Sequence, residues 1–319
     1  MSPNYQEFNH KLKNFIHTLV LFLAMGSILS LLGFIVAGVT GILWAVSLGF
    51  LILIISPNLP PAFIFSLYGA KLIPASDAPA LYQITQELAA RANLPRPPEL
   101  FYLPSQIMNA FSVGTRDNSG IGMSYALLNS LTLRELIGVL AHETSHIQNN
   151  DVRLMSYADI ISRIINTLSL TGFLMVFFTL PLFFWGQATI SWPALGILLL
   201  APTLMSNLQL SLSRMRELEA DRQAVLLTGD PEGLAMALNK IERYESALLD
   251  LLSRSGHGAT VPSILRTHPD IETRITYLLS LKTLSQQALA SSSLDRFSVP
   301  SHYQKLVKPP RWHANGFWY

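Results

Sequence analysis

Two stretches of the chain, residues 14–70 and 164–213, contain no Asp, Glu, Lys or Arg at all. A helical membrane crossing takes about 20 apolar residues, so each stretch is long enough for two. The first predicts helices over residues 15–36 and 42–55, joined by the tight turn Gly38-Val39-Thr40-Gly41. The second is broken at Trp185-Gly186-Gln187 and at Trp192-Pro193, which predicts two further crossings with tryptophans at the membrane interface. Pro181, Pro193 and Pro202 leave a re-entrant pair open as the alternative for this second hairpin. The first apolar stretch is too long for a cleaved signal peptide and has no small-residue cleavage site after a short core.

Between and after these stretches the pattern becomes that of a soluble domain. Residues 75–91 place Leu81, Ile84, Leu88 and Ala89 on one face of a helix, which Pro95, Pro97 and Pro98 terminate. Residues 99–103, 109–113 and 120–124 read as short strands separated by Pro, Asp, Asn and Gly, forming a small sheet. Thr132 and Glu135 form a capping box, which starts a helix at Leu133. Leu133, Leu136, Ile137, Leu140 and Ile147 surround that helix with apolar residues, the mark of a buried one. A Gly-Asp-Pro signal opens a scaffold helix over residues 229–255, and residues 253–259, with His257, read as a loop. Thr267 and Pro269 precede a helix over residues 270–280. The chain ends in a Ser- and Ala-rich segment and an aromatic tail.

Composition sharpens this picture. Half of the 319 residues are hydrophobic and 13% are charged, as in a membrane protein rather than a soluble one. There is no cysteine, so any metal is held by His, Asp or Glu. A net charge of +2 without a basic stripe excludes a nucleic-acid binder. Lys11, Lys13, Lys71, Arg153, Arg163, Arg214 and Arg216 flank the apolar stretches, while both hairpin turns carry no charge. By the positive-inside rule the termini and the region between the hairpins face the cytoplasm, in a multi-pass inner membrane protein.

The buried helix carries His142-Glu143-Thr144-Ser145-His146. Residues four apart on a helix share a face, so His142 and His146 can meet one Zn2+. Glu143, beside the first ligand, is placed to take a proton from water at the ion. A catalytic zinc needs a third protein ligand. Glu217 and Asp221, also four apart, form the acidic pair that can converge on the site. Glu217 is the expected third ligand and Asp221 the partner of a ligating histidine, with Asp221 or Asp151 as substitutes for the ligand.

His142 to His146 followed by Asn150-Asp151, Ser213-Arg214 leading into Glu217 and Ala220-Asp221, and upstream Asn109-Ala110-Phe111-Ser112-Val113-Gly114 together resemble the HtpX-like membrane zinc metallopeptidases, relatives of the zinc CaaX prenyl proteases. The resemblance runs from the first hydrophobic hairpin to about Leu281. It implies a mainly α membrane protein with four transmembrane helices in two hairpins and a cytosolic α+β gluzincin-type zinc peptidase domain carrying a small sheet. The chain then divides into residues 1–70 with the first hairpin, 71–163 with the H-E-x-x-H helix, 164–213 with the second hairpin, 214–284 with the third ligand, and a 285–319 tail.

The resemblance also implies a substrate-binding strand edge at Asn109, Ala110, Phe111, Ser112 and Val113, and an oxyanion donor at His268. The family pattern has a second proline where this chain has Asp270. The implied activity is endopeptidase cleavage of unfolded or damaged membrane proteins. The alternatives are a CaaX-type prenyl-peptide protease and a non-catalytic adaptor that holds unfolded clients.

Overall fold

The computed structural model describes residues 3–55, 60–254 and 271–282. His257, His268 and the 285–319 tail lie outside the described residues. Nine helices and four strands are described, and they divide between two compact units.

The first unit comprises Met1–Pro57 and Leu154–Met215. It is built from α1 (Pro3–Ile55) and most of α6 (Asp151–Phe184) and α7 (Trp192–Thr228). Among the described residues, three helices are long and apolar enough to cross a membrane, over Leu12–Leu51, Asp151–Phe184 and Trp192–Thr228. α1 is not straight. At Ala37 (φ −146°, ψ 25°) and Gly38 (φ 61°, ψ −147°) the backbone leaves the helical region, and Gly38 takes a conformation that only glycine adopts cheaply. The chain folds back there. A Cβ on Gly33 would stand 2.7 Å from the carbonyl oxygen of Gly41, a contact no straight helix allows between residues eight apart. The turn falls at 37–38, at the front edge of the 38–41 turn expected from sequence.

Leu21, Met25, Leu29, Leu32 and Ala45 of α1 form one core with Ala158, Ile161 and Ile165 of α6 and Leu198, Ala201 and Met205 of α7. The outward side chains are also apolar, among them Phe15, Leu23, Trp44, Phe50, Phe178 and Leu200. Such an apolar outside suits lipid. The hydroxyls of Thr167, Thr171, Thr179, Ser206 and Ser211 donate to carbonyls four residues back, so the helices satisfy their own polar groups.

The second unit comprises Asn58–Arg153 and Arg216–Tyr319. Its elements are α2 (Pro61–Leu67), β1 (Lys71–Leu72), α3 (Pro79–Arg91), β2 (Glu99–Leu103), β3 (Ala110–Gly114), β4 (Ser119–Ser124), α4 (Tyr125–Ser130), α5 (Leu133–Gln148), α8 (Pro231–Arg254) and α9 (Ile271–Ser280). The sheet has the order β1-β2-β4-β3: β2 runs parallel to β4, and β1 and β3 run antiparallel to their neighbours. β3 is therefore an outer strand. α3 starts at Pro79 rather than residue 75, because proline fits the first helical turn, where its missing N–H is not needed.

α5 runs through the middle of this unit, buried from Glu135 to Ser145. Its start is fixed by the expected capping box: Thr132 Oγ1 accepts from the Glu135 backbone, and the Glu135 carboxylate accepts from Thr132 N at 2.6 Å. α8 packs against it at a close approach, because a Cβ at Gly138 would stand 2.8 Å from the backbone nitrogen of Leu234. Arg134 of α5 donates twice to Asp230 at the head of α8, at 2.6 and 2.7 Å. Further along, Lys240 of α8 bonds Glu135 at 2.8 Å. These three ties hold one face of α8 beside the helix that carries the histidines.

Candidate metal centre

His142 and His146 sit one turn apart on α5, and their Nε2 atoms face each other at 3.1 Å. Glu217, on the part of α7 that belongs to the second unit, brings Oε2 to 3.4 Å from His142 Nε2 and Oε1 to 3.6 Å from His146 Nε2. A tetrahedral zinc with bonds of about 2.0–2.1 Å sets its ligands about 3.3–3.4 Å apart. The three donors are spaced for one such ion. Glu217 Oε2 is buried and, among the described residues, accepts no well-directed hydrogen bond, although Arg274 Nη1 is 3.0 Å away. Two imidazole nitrogens facing each other and a carboxylate oxygen without a directed donor are the chemistry of a cation site rather than of a packed core.

Each histidine has a carboxylate at its other ring nitrogen. Asp221 Oδ1 lies 3.0 Å from His142 Nδ1, and Asp151 Oδ2 lies 2.9 Å from His146 Nδ1. Such partners fix ring orientation and leave Nε2 for the metal. Asp221 lies behind His142. Asp151, the substitute ligand, stands behind the other one. Asp151 is itself held by Arg216, the residue before Glu217.

Arg274 of α9 completes the cluster. Its Nε and Nη2 donate to the two oxygens of Asp221 at 2.8 and 2.7 Å. The residue is 3% exposed. Burial works against its charge, but the carboxylates of Asp221 and Glu217 outweigh that and hold its pKa up. Burial likewise pushes the His142 imidazole down, while the adjacent carboxylates of Asp221 and Glu217 carry its pKa up to about 10. Carboxylates placed to stabilise positive charge on the neighbouring imidazole also suit a divalent cation.

Glu143, 7% exposed, lines an open cleft together with His142, Arg274 and the start of β3 at Asn109 and Ala110. The rest of the expected substrate strand divides by face. Phe111 stacks on Phe65 and Val113 is buried with Phe65 and Phe101, so these two turn away from the cleft. The sequence reading missed Arg274. A lone arginine on a short helix carries no local signal, and its partners lie 53 and 132 residues away.

A sequence model of peptidase family M48 matches residues 75–282, from before α3 to the end of α9 and through every residue of the cluster. The chain belongs to this family. M48 metallopeptidases are zinc-dependent, which agrees with the donor set. A protease HtpX homolog of Ralstonia pickettii is 29% identical over 293 residues, covering 86% of this chain and 98% of its own length. The homolog of Methylibium petroleiphilum is 30% identical over 288 residues, with 84% and 98% covered. Among solved structures, S. mikatae Ste24p is similar at a TM-score of 0.40 and 22% identity, over 84% of this chain and 67% of that one.

Proposed function

We propose that this M48 protein is an integral membrane zinc endopeptidase that cuts unfolded or damaged membrane proteins on the cytoplasmic side. The observation that carries the reading is the convergence of His142, His146 and Glu217 within 3.1–3.6 Å, with Glu143 next to them in an open cleft. Zinc, when bound there, supplies a Lewis acid that polarises the scissile carbonyl and makes water acidic enough to attack at neutral pH. The chain's residues do the rest. Glu143 takes the proton of the attacking water and passes it to the leaving amine. Asp221 and Asp151 keep the two rings aimed, and Arg274 balances the charge of Glu217 and Asp221.

β3, at the edge of the sheet among the described residues, offers the substrate a strand to pair with. An extended peptide pairing along it gains main-chain hydrogen bonds with little demand on sequence, which suits unfolded clients. His268 remains part of the proposal as an oxyanion donor, on the family resemblance alone. The fold-back at Gly38 supports two crossings in α1, hence four in all, with the charged flanks inside the cell.

The test is cleavage of a generic unfolded protein by the detergent-solubilised full chain. Wild type should cut, lose activity to a chelator and regain it with zinc. Glu143→Gln should keep its zinc while losing at least about 100-fold in rate. A Glu143→Gln enzyme that cuts like wild type would overturn the mechanism.

A further inference from the structure

The cleft beside the metal cluster has an acidic end that the proposed chemistry does not use. One face of α8 lines it, through Leu234, Leu238, Ile241 and Glu245. These positions are spaced four, three and four apart, a single stripe along the helix. Three are apolar; the fourth is a carboxylate. Met108 and Ile271 add to the apolar wall. Glu245 is half-buried, and among the described residues no cation pairs with it. Burial, and then the neighbouring charge of Glu242, push its carboxyl above the ordinary range. The segment is anchored, because the hydroxyl of the adjacent Tyr244 donates at 2.7 Å to the carbonyl of Gln106, just before β3.

An acidic side chain entering this cleft would meet Glu245 and Glu143, while Arg274, the cation lining it, is already committed to Asp221 and Glu217. A purely apolar one would leave Glu245 without a partner. A long aliphatic stem ending in a cation suits both the wall and its end, since Lys and Arg bury their methylenes while keeping the charge at the tip.

We propose that Glu245 is a specificity-determining residue, and that this cleft takes a lysine or arginine side chain of the substrate. The inference rests on the peptidase reading above and deepens it. A peptide extended along β3 sends alternate side chains to the same side, so the basic residue occupies one fixed position relative to the scissile bond.

The test uses internally quenched peptides, identical except at one scanned position that carries Lys, Arg, norleucine or Glu, and the zinc-loaded full chain in detergent. At one position wild type should prefer Lys or Arg over norleucine by about tenfold in kcat/KM. Glu245→Gln should bring that ratio close to one, and Glu245→Lys should favour Glu over Lys. A wild type without basic preference at any position overturns the proposal, as does a preference that survives in both variants. Zinc content and Tm of each variant exclude a folding defect. If wild type cuts no peptide, the peptidase reading fails separately; binding of the labelled Lys and norleucine peptides to the same proteins then decides the role of Glu245, equal affinity overturning it.

Discussion

His142 and His146 each have a carboxylate on the side away from the proposed metal position, and those contacts are where metal affinity is open to mutation without touching a proposed ligand. Asp221→Asn and Asp151→Asn keep the shapes but weaken the grip on the rings. Each should lower zinc affinity about 10- to 100-fold, read by competition against a chromophoric chelator. Unchanged affinity in both would end the orienting role. His142, Glu143 and His146 were legible in the sequence because their spacing is that of one helical turn. The placing of Glu217 and Asp221 on one helix face was legible for the same reason. The pairing of Asp151 with His146 was not, although only five residues separate them. The helix break before Asp151, where Asn150 takes φ 55°, decides that contact.

At the scale of elements, the close approach of α5 and α8 sets the width of the cleft. Gly138→Ala would push a methyl into the Leu234 backbone, which cannot give way as a side chain can. A loss of about 1–3 kcal/mol is expected, seen as a lower Tm. Gly26→Ala, where a Cβ meets nothing within 4 Å, should be neutral or slightly stabilising. A Gly138→Ala protein as stable as wild type would show that the two helices can part. The helices carrying the site were predictable from periodicity and caps. The sheet order was not: β2 pairs in parallel with β4, while β3, between them in sequence, lies at the edge. α4 also escaped, because its six residues are too few to show a period and its Ser124 cap belongs to a strand.

For the whole molecule, the proposed topology can be tested directly, since the chain has no cysteine and a single introduced one is a unique label. Cysteines at Thr40 and Gln187 should react with an impermeant maleimide only from outside the cell, and one at Ser76 only from the cytoplasmic side. Labelling of Thr40→Cys from the inside alone would reduce α1 to something other than two crossings. The reversal at Gly38 has a consequence for how the protein is made. Moving one charge across a potential of 100 mV costs about 2.3 kcal/mol. Residues 14–70 carry no Asp, Glu, Lys or Arg, so passing this turn through the bilayer performs no electrical work. On the proposed topology, the first hairpin enters as one piece in a de-energised cell, drawing only on the transfer of its side chains from water to lipid.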